Sequence, residues 1–324
     1  MLVNAVFEGG GVKAIGLVGA LKAAEDRGVR FNKVAGTSSG AIIASLIASG
    51  YTADEIEKIL LQTPFTSFLK KTLWHRVRVV GPMVRLFIKK GLYSGESLEF
   101  WIKGLLQQKG VRTFGDLKPN QLRIIASDIS DGRILVLPED IRNYGVDPQK
   151  LEVASAVRMS ASLPYFFDPV IYRKPLRFKE KPLHFKQQFV YIVDGGILSN
   201  FPLWIFDKES ALQERTNMMP TVGFQLVGMK EGVARKIYGP FTMFQALLAT
   251  MMDAHDERYI EDHNRFRTIK IPTLGVQTTQ FGISRELSKK LYDSGYSAAL
   301  RFFDKWSVSA YMSQYKNIVQ KQKV

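Results

Sequence analysis

The chain contains no cysteine, which excludes disulfides, thiolate metal ligands and a thiol nucleophile together. No apolar run approaches the ~20 residues a membrane-crossing helix needs. The longest, such as Ala41–Ala48, suit core helices. The opening MLVNAVFEGGG lacks a basic leader ahead of an apolar stretch, so no secretory signal is expected and a cytoplasmic location is the default. Histidine is scarce, at four residues in 324, and acidic residues are missing altogether from Lys58 to Gly95.

Hydrophobic residues make up 46% of the chain, enough at this length for a core that needs no metal or crosslink. Forty-five basic residues against thirty acidic ones leave a net charge of +15, which favours phosphate-bearing polymers or anionic membrane surfaces. The excess is concentrated. Lys70, Lys71, Arg76, Arg78, Arg85, Lys89 and Lys90 fall in the acid-free stretch, interleaved with Phe65, Phe68, Leu69, Leu73, Trp74, Met83, Leu86, Phe87 and Ile88. That mixture reads as an amphipathic element meeting a membrane surface. The competing reading is a solvated lid whose apolar residues face the core. A second basic cluster runs through Arg173, Lys174, Arg177, Lys179, Lys181 and Lys186. A nucleic-acid-binding protein is the alternative from a different class, but no such module is visible and ring stackers are few in the basic clusters. Nucleic acid is not expected as a partner.

No repeat or linker divides the chain. Leu2–Phe7 reads as a strand, Val12–Arg27 as a helix closed by Gly28, Phe31–Ala35 as a second strand and Ser39–Ser49 as an apolar helix. Thr52-Ala53-Asp54-Glu55 forms a capping box, and a helix is expected over Glu96–Gln108. Asp131-Gly132 marks a hairpin between Leu122–Ser127 and Arg133–Leu137. Further expectations are a helix over Pro148–Met159, a strand over Phe189–Val193, late strands at Thr221–Leu226 and Thr268–Ile271, and helices around Met243–His263 and Ser284–Trp306. Helices following strands predict an α/β fold with a mainly parallel central sheet. Residues 1–206 are expected to form the catalytic core, and 207–324 a mostly helical continuation of the same domain with late strands.

Gly36-Thr37-Ser38-Ser39-Gly40 fits the G-x-S-x-G nucleophile elbow and lies between strand and helix as that motif requires. Gly36 and Gly40 let neighbouring backbone pass, and the following helix aims its N-terminus at a developing anion. The bland alternative is a small-residue turn in which Ser38 merely caps the helix. Gly9-Gly10-Gly11 follows the first strand as Ser38 follows the second, and its amides can form an oxyanion hole beside Lys13. The same glycines match the G-x-G-x-x-A dinucleotide fingerprint, but no acid ends the second strand to hold a ribose. No cofactor is therefore expected, and no metal. A Ser-Asp-His triad of the ordinary α/β-hydrolase order would need His255 or His263, both in a charged helical stretch, and His75 and His184 lie in basic clusters. Asp194, ending an apolar strand before Gly195 and Gly196, is the remaining partner for Ser38.

These three segments together resemble the patatin-like phospholipase family over roughly residues 3–205. Ser160-Ala161-Ser162-Leu163-Pro164 with Phe166-Phe167, and Ala126-Ser127-Asp128, are similar to further family segments. The resemblance implies a three-layer α/β/α fold, a Ser38–Asp194 dyad working without histidine, and lipid acyl hydrolase activity of phospholipase A or lysophospholipase type. It implies a lipid or phospholipid substrate, and the basic amphipathic segment suggests that this is met peripherally at the inner membrane face. Lys13-Ala14 departs from the family's Arg-Gly, which removes a planar fork from that position. An acyltransferase or thioesterase using the same nucleophile, and a non-catalytic lipid-binding protein, are the other readings.

Overall fold

The computed structural model describes residues 1–69, 80–174, 188–207, 218–228 and 264–321, with isolated positions between 237 and 250. Strand β1 (Leu2–Phe7) is buried at every position after Leu2, as a strand covered on both faces must be. The chain then turns through Gly9–Gly11 and a single 3-10 turn into α1 (Ala14–Asp26). It returns in β2 (Arg30–Thr37), parallel to β1, and passes at Ser38 into α2 (Ser39–Ala48). Helix α3 (Ala53–Gln62) begins with the expected box. The Thr52 hydroxyl accepts the Glu55 amide, and the Glu55 carboxylate accepts the Thr52 amide.

Helix α4 (Val80–Lys89), strand β3 (Gly91–Tyr93) and helix α5 (Glu96–Gln108) follow. Strands β4 (Leu122–Asp128) and β5 (Arg133–Leu137) form the hairpin signalled by Asp131-Gly132. The helix expected over Pro148–Met159 is broken. A 3-10 turn at Pro148–Lys150 is capped by Asp147, Glu152 is extended, and α6 starts at Val153 and ends at Ser160. The break has a cause in tertiary pairing. The Leu151 carbonyl accepts the Phe114 amide and the Val153 amide donates to Arg112, so this stretch is tied to its neighbour instead of coiling.

The remaining strands are β6 (Tyr165–Phe167), β7 (Val170–Arg173), β8 (Phe189–Asp194), β9 (Thr221–Val227) and β10 (Thr268–Pro272). Helices α7 (Arg285–Phe303) and α8 (Val308–Lys321) close the described chain. The helix expected around Met243–His263 falls outside the described residues but for isolated positions. The main sheet has the order β10-β9-β1-β2-β4-β8-β7, with β5 also on β4. Strands β10, β9, β1, β2 and β4 run parallel, while β8 and β7 continue the sheet in antiparallel pairing.

One detail of register builds the site. Over Leu122–Ile125, β2 pairs along one edge of β4, and β5 takes the other edge over Ile124–Asp128. Strand β8 pairs with Ala126–Asp128, where β5 still occupies the far edge. Strands β2 and β8 therefore lie in line on the same edge of β4 and run towards each other. They stop on adjacent rungs, with Thr37 opposite Ile125 and Asp194 opposite Ala126.

Alternating side chains send Ala5 and Phe7 into the large core and Val6 into a smaller one on the opposite face, with Ala35, Ile125, Phe201 and Leu203. The result is a mostly parallel α/β sheet flanked by helices. Helix α7 lies directly on α1, where a Cβ at Gly295 would overlap the Gly16 carbonyl. Late residues thus support the helix that follows the glycine turn. None of the described helices is long and apolar enough to cross a membrane.

Candidate active site

Ser38 sits at the strand-to-helix turn with φ 54° and ψ −122°, a left-handed conformation that a residue with a Cβ adopts only under constraint. The flanking glycines explain how the turn closes. A Cβ at Gly36 would overlap the Gly40 carbonyl, and one at Gly40 would overlap the Phe7 carbonyl. The Ser38 amide donates to Ser160 Oγ at 2.8 Å, and Ser160 donates in turn to the Ile125 carbonyl. The Ser38 hydroxyl makes no capping bond to α2. It donates instead to Asp194 Oδ2 at 2.6 Å, which removes the reading of Ser38 as a helix cap.

Asp194 ends β8 and is 3% exposed. Its other oxygen, Oδ1, accepts the Gly196 amide at 2.8 Å, and its own amide donates to the Ser162 carbonyl at 2.9 Å. Burial pushes its carboxyl up to about 6, against the opposing pull of the Ser38 hydroxyl and the Gly196 amide. A Cβ at Gly195 would meet the Ile125 carbonyl, so the turn after Asp194 presses against β4. The aspartate reaches the site on an antiparallel strand of the sheet that runs towards the parallel strand carrying the serine.

The Gly9–Gly11 loop is less open than its composition suggests. Its Gly9 amide donates to the Asn200 carbonyl at 3.2 Å and its Gly10 amide to Ser39 Oγ at 2.9 Å. The Gly11 amide, at φ 57°, takes no partner among the described residues and borders the cavity over Ser38. Asn200 grips the loop from both sides, since its Nδ2 donates to the Gly9 carbonyl and to Glu8 Oε1, each at 3.2 Å. Glu8 is 3% exposed, and its second oxygen accepts the Leu226 amide. Lys13 follows the loop with its amide on the Gly10 carbonyl at 3.2 Å, but it is not among the residues that line the cavity.

That cavity encloses about 870 Å³ with its open mouth included and has Ser38 and Asp194 in its wall, a size suited to a small organic ligand. The rest of the lining is mostly apolar, with Ser39, Thr278 and Thr279 as polar members, and comes from separate parts of the chain, among them Ile42, Leu60, Leu98, Trp101, Phe166 and Phe281. Phe281, from the loop before α7, stacks on Phe166 at 5.2 Å between ring centres. In the same loop the Thr278 carbonyl accepts the Val12 amide at 3.2 Å.

Several sequence expectations are corrected or relocated. Arg85, expected at a membrane surface, is 3% exposed and paired with Asp168, because a buried guanidinium requires a carboxylate fork. Phe65 and Phe68, grouped with the same surface element, line the cavity, and Phe68 packs on Trp101. Lys89 and Lys90 are exposed, with Lys90 lying 4.8 Å over the Tyr191 ring. Lys70, Lys71, Arg76 and Arg78 lie outside the described residues, as do His75, His184, His255 and His263. The sequence reading assigned no role to Glu8, Ser39, Ser160, Ser162 or Asn200. Only the small-residue run Ser160-Ala161-Ser162 carried a signal, through its family likeness.

Fold and site together define an α/β protein with an elbow serine hydrogen-bonded to a buried aspartate. The chain belongs to the patatin-like phospholipase family, whose model matches residues 5–207. It is 39% identical over 308 residues to the uncharacterized protein YqhO of Bacillus subtilis (strain 168), spanning 95% of this chain and 100% of that one. It is 26% identical over 203 residues to the probable lipid hydrolase 463L of Invertebrate iridescent virus 6, covering 61% of each. Among solved structures, VipD from Legionella pneumophila matches with a TM-score of 0.52 at 16% identity, over 93% of this chain and 66% of that one. At that identity the likeness bears on the fold alone.

Proposed function

We propose that the protein is a lipid acyl hydrolase of phospholipase A or lysophospholipase type, acting through a Ser38–Asp194 dyad and an acyl-enzyme. The observation that carries this reading is the 2.6 Å hydrogen bond from Ser38 to Asp194 Oδ2 at the wall of an apolar cavity. Ser38 Oγ attacks the ester carbonyl carbon as its proton passes to Asp194 Oδ2. The oxyanion is held by the Gly11 amide, joined by the Gly10 amide once that leaves Ser39 Oγ. Collapse expels the alcohol, which takes the proton from Asp194. Water then attacks the acyl-enzyme, giving its proton to Asp194, and Ser38 leaves with that proton restored.

Two features support this reading. A carboxylate base is most effective when its proton affinity approaches the working pH, and burial raises that of Asp194 to about 6. The apolar lining favours a fatty acyl chain over a polar leaving group in the closed part of the cavity. The substrate is accordingly a membrane lipid or its lyso form.

The test is labelling by a fluorophosphonate probe, with the modified residue mapped, followed by a lipid panel. Label on Ser38 and release of fatty acid are expected. Ser38→Ala should lower kcat by about a millionfold, in line with loss of a serine nucleophile elsewhere. A folded Ser38→Ala protein that still releases fatty acid would sink the proposal.

A further inference from the structure

Helix α4 is amphipathic in an inverted sense. Met83 and Ile88 are each 56% exposed and Phe87 is 80% exposed, while Arg85 is 3% exposed. Met83 and Phe87 stand one turn apart on the same face, and Arg85 lies about half a turn from each. Its guanidinium donates to both Asp168 oxygens, at 2.8 and 2.7 Å, and to the Gly91 carbonyl. The charge fixes the helix to the molecule, and the apolar side chains are left to water. Ile88 lies about 100° round the helix from Phe87, and exposed large apolar side chains grouped in this way mark an interaction site.

Charge identifies the occupant. The helix ends at exposed Lys89, with exposed Lys90 just beyond it, and no acidic residue occurs from Lys58 to Gly95. Two copies meeting through this face would bring like charges together, whereas an anionic bilayer supplies acyl chains for the apolar residues and phosphates for the lysines. Location agrees. Arg85 is held by Gly91, the first residue of β3, and by Asp168, just after β6, two strands that form a small sheet in which Gly91 pairs with Tyr165 and Tyr93 with Phe167. Phe166 and Phe167 of that sheet line the cavity beside Ser38.

We infer that α4 is an interfacial helix that seats the enzyme on anionic phospholipid. Met83, Phe87 and Ile88 enter the acyl boundary, Lys89 and Lys90 meet the headgroup phosphates, and the Arg85–Asp168 pair fastens this anchor to the cavity wall. The inference deepens the lipid-hydrolase reading and rests on it for its purpose, though its test does not need catalysis.

The experiment is co-sedimentation of the full chain with vesicles of phosphatidylcholine alone, or with about a third phosphatidylglycerol, for wild type, Phe87→Asp and Lys89→Glu/Lys90→Glu. Hydrolysis of a soluble short-chain ester is measured alongside. Wild type should bind the anionic vesicles at least about tenfold better than the neutral ones, from roughly a factor of five per surface cation. Phe87→Asp should weaken that binding by about tenfold or more, and the double lysine reversal by at least about 25-fold, a loss that high salt erases. Ester hydrolysis should be unchanged in both variants. Wild-type binding by Phe87→Asp, or equal binding to neutral vesicles, would overturn the inference. So would a dimer that Phe87→Asp dissociates, which would assign the face to a second copy. Vesicle binding without any ester hydrolysis would remove the catalytic reading and leave the docking surface standing. Hydrolysis without vesicle binding would do the reverse.

Discussion

The two glycine turns at the centre of the sheet look alike in sequence and are built differently. Each follows a buried parallel strand and leads into a helix. The elbow at Gly36–Gly40 is closed by tight backbone contact, its own and that of β1, with Ser38 tied to Ser160 and Asp194. Its glycines are required because the Gly40 and Phe7 carbonyls lie where a Cβ would go, and its strain is confined to Ser38. The loop at Gly9–Gly11 is held from outside, by Asn200, Ser39, Thr278 and, through Asn200, Glu8. A nucleophile must be placed once and kept. Oxyanion donors must be aimed at a charge that exists only in the transition state, and in the proposed mechanism that aim would be set by residues as distant in sequence as Asn200 and Thr278.

The largest expected effect falls where the elbow meets its base. Asp194→Asn keeps the shape but removes the proton acceptor, and should lower kcat by about 10⁴-fold, as loss of the acidic member does in a serine triad. In the wild type, kcat/KM should rise through about pH 6 as Asp194 ionises and level off above it. Stability should move the opposite way. The folded-state value near 6 lies above the ordinary 3.8, so between those pH values the native state binds the extra proton and stability falls as pH rises. At neutral pH the charged, buried carboxylate costs about 3 kcal/mol. Asp194→Asn should therefore melt higher than wild type at pH 7.5 and converge with it below pH 4. A flat pH profile, or no gain in melting temperature, would contradict burial as the source of the raised affinity.

How much of this could be read beforehand follows the same division. The elbow, its flanking strand and helix, the Thr52 capping box and the Asp131-Gly132 hairpin are local, each written in a few adjacent residues with a steric or hydrogen-bonding reason. Asp194 was visible as an aspartate at a strand end. The direction of its strand was not, because pairing register depends on β4 having a free edge only above Ile125. Asn200 left no mark, since an asparagine six residues past Asp194 looks like any turn residue. Arg85 was misplaced for a related reason. A cation in an acid-free stretch reads as exposed when its carboxylate, Asp168, lies 83 residues on. Pro148–Met159 failed because tertiary bonds to Arg112 and Phe114 outweighed local helix propensity.

The elbow's close packing against the β1 backbone predicts where stability is lost. In Gly40→Ala, the new methyl would press on the Phe7 and Glu8 carbonyls, and β1 cannot retreat because β2 and β9 hold it on both sides. Overpacking against fixed backbone should cost about 3 kcal/mol, at the upper end for an added carbon. Chemical denaturation of the variant measures this directly. A loss below about 1 kcal/mol would mean that the elbow can open, and that its resemblance to the glycine loop extends to mechanics.

The smallest expected effect tests the other half of the comparison. Asn200→Ala removes the donors to the Gly9 carbonyl and Glu8 while leaving Ser38 and Asp194 untouched. Deleting a true oxyanion donor costs 10²–10³ in kcat, and a residue that only positions the donors should cost less, about tenfold. Asn200 acts through the loop on the transition state, so kcat should fall while KM for a soluble ester holds. The pH midpoint near 6 should stay where it is, because the surroundings of Asp194 do not change. A rise in KM at constant kcat would assign Asn200 to the cavity wall. A shifted pH midpoint would mean that the clamp and the base form one unit, and the distinction between an elbow closed by backbone packing and a loop held by hydrogen bonds would then fail.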